Sequence, residues 1–173
     1  MINKKNRIKP VTGQLFATPI SDGTVGLTQV AFAEKLGITS HTVALAFFPI
    51  RASTPEQLME KIDGIPLELP FAVVSPSSTP IEDGILKFLG TTDVEYKNVD
   101  VKSRLKGPYL WFDGKEKAWQ YIFEMYYGRY PWDALYNKSW MDELLLDGYQ
   151  RPETARLKKD FSSEELEKLG VHN

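Results

Sequence analysis

The sequence has no cysteine. That excludes disulfides, thiol nucleophiles, iron–sulfur clusters and cysteine-based zinc sites together, and it fits a reducing compartment. Histidine is nearly absent too, with His41 and His172 alone. An imidazole metal site wants at least two convergent ligands, and no H-x-x-x-H spacing occurs. His172 lies beside the C-terminus and reads as part of a disordered end, whereas His41 stands at the start of a strand and reads as a structural or surface residue.

Long apolar runs are missing as well. No stretch approaches the roughly 20 apolar residues of a membrane span, and no apolar run follows the polar, basic start to make a secretory signal. We expect a cytoplasmic protein with no membrane partner. The glycines punctuate turns, and neither G-x-G-x-x-G nor a Walker-type loop is present, which excludes nucleotide binding by those devices. No G-x-S-x-G elbow surrounds Ser75, Ser77, Ser78 or Thr79. We therefore expect no catalytic residues, no metal and no cofactor.

What is present bounds the fold. A chain of 173 residues suits one domain, and 42 % hydrophobic residues supply an ordinary core. A net charge of −2 argues neither for a nucleic-acid polymer binder nor for a strongly acidic mimic of one, and no nucleic-acid partner is expected. We expect a single α+β domain over residues 1–173, with residues 1–12 a flexible leader. Lys4, Lys5, Arg7 and Lys9 in that leader read as a solvated, frayed end, or else as contacts to phosphate or an acidic partner.

Gln14–Ile20 and Thr24–Lys35 are rich in β-branched, aromatic and small apolar residues, and Ser21-Asp22-Gly23 separates them. Asp-Gly between two such runs predicts a hairpin, because glycine accepts the positive φ of a tight turn. A third strand, Thr42–Ile50, carries the run Val43-Ala44-Leu45-Ala46-Phe47-Phe48, which predicts burial on both faces. Consecutive strands in a meander pair antiparallel. Thr54-Pro55-Glu56-Gln57 opens a helix, with Thr54 as N-cap and Pro55 at the first helical position, and Gly64 ends it. Further strands are expected at Phe71–Val74, Ile85–Leu89 and Tyr109–Phe112, with a loop over Ser75–Pro80.

The last third reads as helical. Asp113 and Glu116 form a capping pair, and Ala118, Trp119, Tyr121, Ile122, Phe123, Met125, Tyr126 and Tyr127 make a helix apolar over most of its circumference. It should be largely buried, ending at Gly128. Ser139–Leu146 is a second helix, and Ser162 with Glu165 boxes the start of a third that Gly170 stops. The fold class is thus α+β: an antiparallel, strongly bent or barrel-like sheet in the first two thirds, with a helical C-terminal third packed on it.

Two groups of side chains invite function. Glu68, Glu82, Asp83, Asp93 and Glu95 give the middle an acidic bias. They read as a solvated face, or as paired carboxylates for hydrolysis. The second group is Tyr126-Tyr127-Gly128-Arg129-Tyr130-Pro131-Trp132. Its rings either cover the sheet or form a binding surface, since Tyr, Trp and Arg dominate binding hot spots. We assign Tyr127, Arg129, Tyr130, Trp132 and Asp133 as candidate partner-binding residues.

One resemblance adds to this reading. Gly13 to Gly23, with Phe16, Pro19, Ile20 and Asp22 between, followed by Val25-Gly26-Leu27-Thr28-Gln29-Val30, resembles the opening of the immunity protein 26 family, G-x-x-F-x-x-P-L-x-D-G and then G-x-V. Thr28 replaces the usual Gly. Leu58–Ile65 is similar to that family's helix. Phe71–Val74 and Ile81–Gly90 are similar to its next two segments, with Leu86 where a Trp is common. The likeness stops at Gly90. It implies an immunity-type protein that binds and neutralises a cognate toxin of a bacterial polymorphic toxin system. It would act in the cytoplasm, through an interface of roughly 1,200–2,000 Å². Rival expectations are a β-barrel nucleic-acid module using the leader with Lys97, Lys102, Arg104 and Lys106, and a carboxylate-dependent hydrolase.

Overall fold

In the computed structural model the described residues are 8–36, 40–75, 79–96, 99–101, 118–135 and 137–171. Strand β1 (Gln14–Pro19) turns at Ser21-Asp22-Gly23 into β2 (Val25–Leu36). Gly23 donates its N–H to Ile20 O at 3.1 Å and sits at φ +85°, the left-handed position that closes a three-residue hairpin. Asp22 accepts the N–H and hydroxyl of Thr24, at 3.0 and 2.6 Å, which locks the loop. Strand β3 (Ser40–Ala52) extends the meander.

Helix α1 (Pro55–Ile62) starts as the residues dictate: Thr54 Oγ1 accepts the Gln57 N–H at 3.2 Å. Strand β4 (Ala72–Val74) follows. The expected loop over Ser75–Pro80 ends earlier than its prolines suggested, in a short helix α2 (Thr79–Glu82). Pro80 falls in the first turn, where a missing N–H costs nothing. Strand β5 (Lys87–Thr91) begins two residues later than expected, because its register is set across the sheet by β1. The strand expected at Tyr109–Phe112 and the caps Asp113 and Glu116 lie outside the described residues. The helical third comprises α3 (Ala118–Tyr126), α4 (Trp140–Leu144), a 3₁₀ turn (Lys158–Asp160) and α5 (Ser163–Leu169). Ser162 and Glu165 form the reciprocal box, and Gly170 caps α5 at φ +67°.

The five strands form one antiparallel sheet in the order β4-β3-β2-β1-β5. It is open rather than closed into a barrel. Register shifts between Leu15 and Phe16, Gly26 and Thr28, and Val30 and Phe32 mark irregularities of the kind that bend a sheet. At one edge the chain after α4 bridges β4, through Ala72 with Leu145 and a bond from Leu146 N–H to Phe71 O (3.0 Å). This shields the edge from stray pairing.

Both faces are covered, as the unbroken apolar run in β3 predicted. One face is aromatic: Phe16, Val30, Leu45, Phe47 and Phe71 meet Trp119, Ile122, Phe123 and Met125 of α3. The other is lined by Leu15, Ala17, Leu27, Ala31, Ala44, Ala46 and Phe48, which meet Leu58 and Ile62 of α1. Each fully buried large apolar side chain contributes about 1.5–3 kcal/mol, so most of the stability resides in these two layers. Gly26 is what lets α3 lie close. A Cβ there would stand 2.6–2.8 Å from the Phe123 ring.

The expected leader is partly tied down. Pro10 is buried, Ile8 packs against the aromatic layer, and Thr12 Oγ1 accepts the Ala33 N–H at 3.0 Å. No described helix is long and apolar enough to cross a membrane.

Candidate functional site

The C-terminal end of α3 sets the direction of the next segment. Gly128 sits at φ +69°, its N–H bonds Met125 O (3.1 Å), and the Arg129 N–H bonds Glu124 O (2.6 Å). That pair of bonds is a Schellman motif. Gly128 is required for space as well, since a Cβ would land 2.0 Å from Thr154 O. The chain therefore reverses sharply and sends Arg129 outward while Trp132 turns in.

Trp132 corrects the expectation of an exposed anchor. It is 1 % exposed, its indole N–H bonds Asp142 Oδ1 (3.0 Å), and its backbone N–H bonds Arg156 O (2.8 Å). Its role in the free protein is to seal the aromatic layer. Asp133 also serves the scaffold, because its Oδ1 accepts the Lys158 N–H at 2.6 Å. Tyr127 lies flat over Phe123, at 6.1 Å and 10° between planes, and edge-on to Tyr126. Its hydroxyl is buried and without a hydrogen-bond partner, and burial raises its pKa above the ordinary phenol range. For Trp132, and largely for Tyr127, the reading in which rings cover the sheet is the one observed.

Arg129 and Tyr130 differ. The Arg129 side chain is 51 % exposed, and Nη2 reaches Asp22 Oδ2 at 3.1 Å. Arg51, from the end of β3, reaches the same oxygen through Nη1 at 3.3 Å and lies over the Tyr127 ring at 4.6 Å. Burial pushes the Asp22 carboxyl up, but bonds from Thr24 and the Arg129 charge outweigh it and hold its pKa below the ordinary value. Tyr130 packs at 4.5 Å against Tyr121. Together Ser21, Tyr121, Glu124, Arg129, Tyr130 and Leu169 line a cleft of about 150 Å³. Glu124 is 5 % exposed, and Ser21 satisfies both its oxygens, the N–H at 2.6 Å and the hydroxyl at 2.7 Å. A buried carboxylate thereby fixes the hairpin loop to α3.

The acidic residues divide. Glu68, Asp93 and Glu95 line one groove of about 220 Å³ with Ile65, Pro66, Leu67 and Thr92; Glu82 and Asp83 do not line it. Beneath this region Gln29, fully buried, donates to Thr92 O (3.2 Å) and accepts the Tyr96 hydroxyl (2.5 Å). Among the described residues, no group of three or more His, Asp or Glu could hold a metal ion. Ser75 donates its hydroxyl to Val43 O at 2.8 Å. Lys97, Lys102, Arg104 and Lys106 lie outside the described residues.

Within residues 13–90 several side chains support the scaffold. Asp22 and Gly23 make the turn, Gly26 admits Phe123, and Gln29 ties β2 to the chain after β5. No protein-family model, curated protein or solved structure matches the chain.

Proposed function

We propose that this chain is an immunity-type protein that binds a cognate toxin domain in the bacterial cytoplasm and neutralises it by surface complementarity, without catalysis of its own. The observation that carries the reading is the Arg129–Tyr130 corner. An exposed guanidinium stands beside an aromatic pair, and both are fixed from behind by a Schellman turn and an ion pair to Asp22. Arg and Tyr held in place before a partner arrives lose little entropy on docking, which is how hot spots gain affinity. The likeness of Gly13–Gly90 to the immunity protein 26 family supports the same reading. It expects a toxin gene immediately upstream. Co-expression should rescue cells from that toxin, and the purified pair should form a complex. A toxin that neither binds nor is blocked rejects the proposal.

One observation favours a second reading. Glu68, Asp93 and Glu95 share a groove, and a carboxylate-dependent hydrolase needs one such group as acid and another as base. Turnover of chromogenic glycosides or esters, lost in Glu68→Gln and Asp93→Asn, would establish it; no turnover dismisses it.

A further inference from the structure

Asp22 is a hub of unusual charge balance. Its side chain is 12 % exposed, whereas those of Arg51 and Arg129 are 41 % and 51 % exposed. The carboxylate sits behind and the two guanidinium groups stand in front. Both cations use one oxygen, Oδ2, while Oδ1 is taken by Thr24. Each guanidinium carries five N–H donors. Among the described residues no other acceptor meets the remaining N–H groups of either one. Two like charges are thus held side by side with spare donors and a shared excess of one positive charge.

From this we infer that Arg51 and Arg129 form a preorganised receptor for a single carboxylate, supplied by an Asp or Glu side chain of the protein partner. Charge matching selects the ligand class. Two guanidinium groups against Asp22 leave one positive charge, which a carboxylate neutralises. A phosphate dianion would overshoot that balance and leave one negative charge uncompensated at the pair. Arg binds planar carboxylates bidentately through its fork. Orientation is already arranged, because Tyr127 supports the Arg51 plane and Asp22 fixes both side chains. Tyr130 and Tyr121 beside Arg129 would take the aliphatic stem of the incoming residue. That the carboxylate comes from a protein rests on the immunity reading above; the anion receptor itself does not.

The test follows the Nε–Hε resonances of Arg51 and Arg129 by NMR in the full chain. The probes are N-acetyl-glutamate N-methylamide, its glutamine counterpart, and inorganic phosphate. The glutamate compound should shift both resonances together and saturably, the glutamine compound should not, and phosphate should bind no tighter. Arg51→Gln and Arg129→Gln should each weaken this binding at least about tenfold, with an unchanged circular dichroism spectrum and a single cooperative thermal transition as the fold control. Against the toxin of the neighbouring gene, both variants should lose affinity by a similar factor. No saturable shift with the glutamate compound overturns the inference, and so does tighter binding of phosphate. Full toxin affinity in Arg129→Gln overturns it while the immunity reading stands. A wild-type chain that ignores the toxin yet titrates the glutamate compound rejects the immunity reading and keeps the receptor. Self-association lost in Arg129→Gln would make a second copy the occupant and overturn the choice of partner.

Discussion

Replacing Trp132 with alanine tests whether the aromatic corner is divided as described, with Arg129 and Tyr130 for docking and Trp132 for the core. Trp132 is 1 % exposed and hydrogen-bonded to Asp142. Truncating a buried Trp to Ala costs about 3–5 kcal/mol, from lost transfer energy plus the cavity left behind. A domain has about 5–15 kcal/mol in hand, so the variant should fold but be weakened. For a chain of this size each kcal/mol lowers Tm by about 2–4 °C, which predicts a fall of ~6–20 °C. Thermal unfolding followed by far-UV circular dichroism reads it directly. Trp132→Phe, which keeps an aromatic ring but drops the N–H, should cost about 1 kcal/mol for the bond, because exposed Asp142 is then solvated. Tyr130→Ala should move Tm less than Trp132→Ala, its ring being only half-buried. A Tm for Trp132→Ala within ~2 °C of the parent would refute the division of labour.

Three further outcomes are expected. Gly26→Ala should destabilise by about 1–3 kcal/mol in urea unfolding, since the Phe123 ring must move out of a filled layer; an unchanged midpoint would deny the close approach. Gln29→Leu should cost about 1–3 kcal/mol, because the Tyr96 hydroxyl and Thr92 O lose their buried partner, and amide exchange of residues 92–96 should accelerate. The Asp22 carboxyl, followed by carbon-13 NMR, should titrate below its ordinary 3.8. Its folded pKa lies below its unfolded one, so its contribution to stability is present above that ordinary value and lost as pH falls through the folded midpoint. Arg129→Gln should raise the midpoint, and a midpoint at or above 3.8 in the parent contradicts the ion pair.

Much of the frame was legible because its signals are local. Asp22-Gly23 specifies its own turn, Thr54 and Ser162 cap the helices they precede, and the apolar circumference of α3 announces burial. The candidate site was half legible for the opposite reason. Arg129 and Tyr130 could be picked out as residues suited to binding, but the choice between them and Trp132 depends on Arg156 and Asp142, whose approach no local pattern encodes. Nor could spacing show that Arg51 and Asp22 would join Arg129, since those three come from separate elements. Nothing in the sequence marks Glu124 or Gln29 as buried, because a polar residue betrays its burial only once distant partners satisfy it. The start of β5 was missed because strand pairing with β1, not composition, sets it.

The unlike faces of the sheet place opposite demands on inherited change. On the side of α1, Ala17, Ala31, Ala44 and Ala46 are already small, so almost any substitution enlarges them and wedges the helix away. On the side of α3, Phe16, Phe47, Phe71 and Phe123 are already large, so almost any substitution hollows the layer. The fold can drift on the second side by trading volume between neighbouring rings, whereas the first leaves it almost nothing to trade.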